Sequence, residues 1–240
     1  MASVIRNIVF DTNNISQTDN KKCRTAYQED AGSNGLTVSE IASWEKLVQK
    51  GLDNSLNGLS QLLGHHLKLD SLNIETKPFS AIEELAGTSG SYCIGTCLSI
   101  EGDIPGQLML VHTPDIAFRL IDLLLDLPSG TTNTIGKLER CALEDIGNIT
   151  GSYFLNTMAD NAGLFLMPSP PKVIIDSLAA IMNMQLEFVR KQQKEAILVE
   201  ATFSADHQKI DGTFIALPTL DFIRAVTGSS RKSCGRVCNG

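Results

Sequence analysis

The feature that most limits how this chain can fold is an order of elements that runs twice, 99 residues apart. Val48, Leu52, Leu56, Leu59 and Leu63 recur every three or four positions, which predicts a helix from Thr37 to Leu63. Thr37-x-x-Glu40 makes a capping box at its start and Gly64 a terminator at its end. After Pro78 the pattern predicts a short helix over Ser80–Leu85 and strands over Tyr92–Ile100 and Gln107–His112, parted by a Gly-rich turn. A helix over Asp115–Leu125 and a loop over Pro128–Thr132 close this half. The series then restarts with a long helix over Leu138–Ala162 that stops at Gly163. A short apolar strand, the Pro168-Ser169-Pro170-Pro171 break and a helix over Val173–Gln192 follow. Strands over Ile197–Ser204 and Lys209–Leu217 and a short helix after Pro218 complete the copy. Sliding one half onto the other brings Gly64 onto Gly163 and Ser80–Leu85 onto Ala179–Met184.

Two copies are too few for a solenoid, which needs at least three. The order instead predicts an α+β fold from a duplicated αβ unit: two halves related by a pseudo-twofold axis, sharing one antiparallel sheet with two long helices packed on it. Residues 36–228 form the expected domain, with halves of about 37–132 and 133–228. Residues 1–35 are polar apart from Val4–Phe10, and 229–240 are polar as well. These compositions predict a disordered leader and a flexible tail.

Composition removes several function classes. A formal charge of −7 disfavours nucleic acid, which rewards clustered Lys and Arg. No apolar run approaches the ~20 residues of a membrane-spanning helix, and the first residues lack a signal-peptide pattern. A cytoplasmic monomer without membrane insertion is the expectation. Six scattered cysteines form no disulfide framework, and no cysteine–histidine spacing suggests a metal site. Cys93 and Cys97 share one strand face and read as reduced, structural thiols. Trp44 reads as core, and His65-His66 as residues suited to a helix C-terminus.

On the Leu138–Ala162 helix, Ala142, Ile146, Ile149 and Tyr153 make a stripe expected to face the sheet. Cys141, Asp145, Asn148 and Ser152 make a second, polar stripe about a quarter-turn away. Asp and Asn are mediocre helix formers, and here they sit beside Gly147 and Gly151. The stripe is either the solvated flank of an amphipathic helix or a face kept for chemistry.

The run LERCALEDIGNITGSYFLNTMADNAGLFLMPSPP resembles the second signature segment of the CheC-like family of CheY-phosphate phosphatases. The pieces SIEGDIPGQLMLVHTPD, LLDLPSGTT and EATFSADHQKIDGTFIALPT extend the resemblance over Thr37–Val226. Its sharpest motif is Asp145-Ile146-Gly147-Asn148 followed by Pro171. The family glutamate is Asp145 here, and the preceding Ser or Asp is Cys141. In the first half Lys46 and Gln49 stand at the acid and amide positions, after Ala42 and without the downstream proline, so that half-site is degenerate.

The resemblance implies a chemotaxis phosphatase hydrolysing the aspartyl-phosphate of CheY-type response regulators. Asn148 would position the attacking water and Asp145 would pair with the regulator's lysine, as the two catalytic residues. Cys141, Ser152 and Pro171 would border the docking surface. The enzyme would need no cofactor of its own, because Mg²⁺ belongs to the regulator substrate. The receptor deamidase CheD is a second implied partner. The same resemblance also admits a non-catalytic adaptor that binds CheY or CheD, or a flagellar switch component.

Overall fold

The computed structural model describes residues 36–87, 92–205 and 208–228. The leader 1–35 and tail 229–240 lie outside them. Helix α1 (Val38–Leu63) starts at the Thr37–Glu40 capping box and ends at Gly64, whose φ of 67° is the left-handed conformation that glycine adopts without strain. Strand β1 (Leu67–Lys77), helix α2 (Phe79–Gly87), strands β2 (Tyr92–Gly102) and β3 (Gly106–His112) and helix α3 (Pro114–Leu124) complete the first half. The second half comprises α4 (Lys137–Ala162), β4 (Leu166–Pro168), β5 (Lys172–Ser177), α5 (Leu178–Arg190), β6 (Ala196–Ala205), β7 (Gln208–Ala216) and α6 (Leu220–Val226). The bounds of α1 and α4 differ by 99 residues at both ends, and α4 also ends on a left-handed glycine, Gly163 at φ 66°.

The strands form one antiparallel sheet in the order β1-β6-β7-β3-β2-β4, with β5 also on β2. Exchanging the halves reads this order backwards, so the pseudo-twofold axis passes between β3 and β7. Each half lends its first strand to the other: β1 pairs with β6, and β4 with β5 pairs with β2. Both lent strands carry an irregularity at the matching place. Register slips between Leu69 and Ser71 in β1, and Pro168 and Lys172 span four positions opposite the three from Ile100 to Cys97.

Alternation along the strands sends side chains to the two faces of the sheet. Leu98, Ile100, Leu108, Leu110, Val199 and Ala201 face α1, α4 and α6, while Cys93, Cys97, Met109, Val111 and Leu198 face α2 and α5. Trp44 is buried edge-on against Phe222. Each buried leucine on α1 contributes ~1.5–3 kcal/mol of transfer free energy.

Two elements differ from the sequence expectation. Leu67–Lys77 is an eleven-residue strand where no element was expected. Val173–Ser177 is strand, not the start of a helix; the helix begins only at Leu178, where the Ser177 hydroxyl accepts the Ala180 N–H at 3.2 Å. Neither difference disturbs the repeat, since β1 and β4–β5 are themselves counterparts.

Candidate functional site

The long helices touch through small residues. A Cβ on Gly51 would lie 2.9 Å from the Phe154 ring, and one on Gly58 2.4 Å from the Tyr153 ring. The Ser55 hydroxyl lies 2.9 Å from the Thr150 carbonyl, and the Asn54 amide donates to the Thr157 hydroxyl at 2.9 Å. These contacts fix the rotation of α4 about its own axis.

That rotation differs from the sequence expectation. The buried stripe is Ala142, Leu143, Ile146, Gly147, Thr150, Gly151 and Phe154. Ile149 is only half-buried and Tyr153 is exposed, lying over Gly58 instead of the sheet. A Cβ on Gly147 would meet Thr96 Cγ2 at 2.5 Å, and one on Gly151 would meet Leu98 Cδ2 at 2.8 Å. The two glycines that looked like helix weaknesses are therefore where α4 presses closest to β2. With them turned inward, Asp145 and Asn148 point away from the sheet.

Cys141, Asp145 and Asn148 are exposed and Ser152 is half-buried, all on the outer surface of α4. Asp145 and Asn148, three apart, hold their Cβ atoms ~5–6 Å from each other. Neither side chain has a hydrogen bond or ion pair among the described residues. Pro171 reaches the same helix: a Cβ on Gly147 would stand 3.5 Å from Pro171 Cβ. Ser169 pins the proline segment to β2, its N–H donating to the Ser99 carbonyl at 2.8 Å and its hydroxyl accepting the Ser99 N–H at 2.9 Å. Arg140 Nη1 donates to the Val173 carbonyl at 2.7 Å, tying β5 to α4. The structure thus puts Asp145 and Asn148 on the outer face of α4, with Cys141 and Ser152 a turn to either side, and seats Pro171 against Gly147 on the inner side of the same turn. Sequence reading missed Thr96, Gly147, Gly151 and Arg140 as the residues that seat this part of α4. The small-xxx-small pair at 147 and 151 was the available signal.

The first half places Lys46 and Gln49 at the equivalent positions of α1. The Gln49 amide donates to both carboxylate oxygens of Asp53, at 3.2 and 3.3 Å. Leu72 takes the place of Pro171, and a groove of about 420 Å³ opens between α1 and β1. Cys93 and Cys97 are buried between β2 and α5, where burial raises both thiols, Cys97 to about 11, so they stay protonated; only Cys141 is exposed among the described cysteines.

An outward acid–amide pair, on one of two pseudo-symmetric helices and with a proline seated against that helix, can be compared with known proteins. No family model matches the sequence. CheY-P phosphatase CheC of Bacillus subtilis is 23% identical over 192 residues, covering 78% of this chain and 92% of that protein. The chain is similar to CheC in sequence. FliY of Thermotoga maritima superimposes with a TM-score of 0.64 at 16% identity, over 81% of this chain and 96% of that one. A chain of the FliG–FliM complex from H. pylori gives 0.54 at 15% identity, over 78% and 98%. The chain therefore resembles a CheY-P phosphatase in sequence and shares its fold with FliY. Among its described residues no helix is long and apolar enough to cross a membrane.

Proposed function

We propose that this chain dephosphorylates a CheY-type response regulator, using the outer face of α4. The observation that supports the reading is the placement of Asp145 and Asn148 together on that face, on the helix that Pro171 abuts at Gly147, and without partners among the described residues. A carboxamide both donates and accepts hydrogen bonds, so Asn148 can hold a water in line with the phosphorus of an aspartyl-phosphate. Positioning of that kind supplies most of the rate in phosphoryl transfer. The regulator brings the phospho-aspartate, its Mg²⁺ and a lysine. Asp145 pairs with that lysine and sets the register of docking. Water attacks phosphorus, the acyl-phosphate P–O bond breaks, and inorganic phosphate and a free aspartate carboxylate leave.

An aspartate reaches one methylene less far than the glutamate of the family pattern. A part-exposed ion pair is worth ~0.2–1 kcal/mol, so the shorter side chain costs docking affinity and leaves the chemistry in place. The first half, with Lys46 facing the regulator's lysine, contributes no turnover.

A second reading is favoured by the departures at Cys141, Asp145 and Lys46: an adaptor that binds a CheY-type protein or CheD without catalysis, or a flagellar switch component. The deciding experiment follows loss of phosphate from a purified phosphorylated CheY-type protein with and without the chain. Acceleration that Asn148→Ala removes supports the phosphatase. Binding without acceleration establishes the adaptor.

A further inference from the structure

We infer that the groove between α1 and β1 is a second docking site, built to take an extended acidic segment of a partner protein. Its lining residues are Glu45, Lys46, Gln49, Lys50 and Asp53 of α1 with Leu72, Asn73 and Ile74 of β1. Under the 99-residue shift these fall on Glu144 to Ser152 of α4 and on Pro171 to Val173, so the groove is the first-half counterpart of the candidate site on α4. The second half closes this space by pressing Pro171 onto Gly147; the first leaves it open.

The charge of the outer rim is changed. Lys46 replaces Asp145 and Lys50 replaces Ile149, putting two exposed ammonium groups one helical turn apart in a chain of net charge −7. Neither is in an ion pair among the described residues. Like charges four apart weaken a helix, so the pair does nothing to hold α1 together. Of the two acids in the groove, Asp53 is engaged by the Gln49 amide and Glu45 is half-buried. Below the rim, Leu72 and Ile74 give an aliphatic floor. Among the described residues β1 is also the end strand of the sheet, with an edge to which an extended segment can add. An acidic strand meets all three features: carboxylates at the lysines, an apolar side chain on the floor, backbone along β1. The opposite end of the sheet is interrupted by Pro168, Pro170 and Pro171, which cannot donate ladder hydrogen bonds.

This site stands apart from the phosphatase reading and does not depend on it. The probe is a fluorescein-labelled peptide alternating Glu and Leu, titrated with the full chain by fluorescence anisotropy against an equal-length peptide alternating Lys and Leu. The acidic peptide should bind and the basic one should not. Binding should weaken about tenfold in the Lys46→Glu/Lys50→Glu variant and should fall as salt rises. Both positions are exposed, so the variant should keep the parent's melting curve. The proposal is overturned if the acidic peptide does not bind at low salt, if both peptides bind equally, or if the charge reversal changes nothing. It is also overturned if the parent sediments as a dimer that the reversal splits, since the occupant would then be a second copy. Loss of dephosphorylation with peptide binding intact, or the reverse, separates failure of the two readings.

Discussion

Replacing Gly147 with alanine tests how closely α4 must lie on β2 for the site to work. The added methyl would sit 2.5 Å from Thr96 Cγ2, whereas ordinary van der Waals contact begins near 3.4 Å. Thr96 is 1% exposed, and its branched side chain has little rotamer freedom, so the methyl has nowhere to go. The helix must lift by about 1 Å at this point, an overpacking that costs ~1–3 kcal/mol. Alanine returns ~1 kcal/mol of helix propensity, leaving a net loss of ~0–2 kcal/mol, or up to ~8 °C at ~2–4 °C per kcal/mol for a domain of this size. Function should suffer more than stability, because lifting α4 moves Asn148 relative to Pro171, and a ~1 Å misplacement can lower a rate ~100-fold. The assay is a double-mutant cycle with Thr96→Ser, which deletes the offending methyl, read both by thermal unfolding and by phosphate release. Gly147→Ala/Thr96→Ser should recover most of what Gly147→Ala loses, with a coupling of ~1–2 kcal/mol. A Gly147→Ala protein that is more stable and equally active, or a cycle without coupling, refutes the close seating of α4.

Asn148→Ala should slow regulator dephosphorylation ~10-fold or more with binding intact, while Gln49→Ala should leave the rate unchanged; both are read as phosphate release against regulator concentration. Asp145→Ala should raise the apparent KM more than it lowers kcat, with a defect that shrinks as salt rises, and Asp145→Glu should lower KM. His112 is buried edge-on against Phe203, and burial lowers its pKa to about 4. The unfolded chain therefore takes up a proton from pH ~6.5 downward while the native one resists until about 4, so unfolding free energy should be full above pH ~6.5 and fall by ~1.4 kcal/mol per pH unit below it. His112→Leu should flatten that part of the curve in denaturant titrations. Burial would raise the Asp122 carboxyl, but the Thr132 side chain and the N–H donors of Thr132, Gly130 and Thr131 outweigh it and hold the acid below its usual range. Its contribution is present above the ordinary aspartate range and lost in stronger acid, so Asp122→Ala should melt earlier than the parent at neutral pH and converge with it on acidification.

The repeat was legible because its punctuation is chemical: Thr37, Gly64 and Gly163 act as caps wherever they occur at helix ends. β1 escaped because its apolar residues, Leu67, Leu69, Leu72 and Ile74, change phase at the irregularity after Leu69, and a period-two reading cannot follow such a slip. β5 was merged with α5 because Val173–Ile175 runs into Leu178 with only Asp176 and Ser177 to mark the boundary. At the site, Asp145, Asn148 and Pro171 were named from a family resemblance; the structure puts the first two on the outer face of α4 and Pro171 against Gly147. What seats them was hidden, because sequence reading takes large apolar residues as core and glycines as gaps. On α4 the glycines are among the core-facing residues and Tyr153 is not.

The lending of β1 to the opposite half has a consequence for how the chain is made. Leu67 pairs with Ala205, and Lys77 with Ala196, so β1 has no sheet partner until nearly 120 further residues have left the ribosome. At ~5–20 residues per second that is a wait of ~6–24 s, far longer than local collapse takes. During it α1 can shelter one face of β1, but both edges stay open to any other nascent chain. Lys68, Asp70, Glu75 and Lys77 are spaced along the strand, and its register slip bends it out of the flat geometry that aggregating strands share. The weak alternation that hides β1 in the sequence is, on this account, what keeps it soluble while it waits.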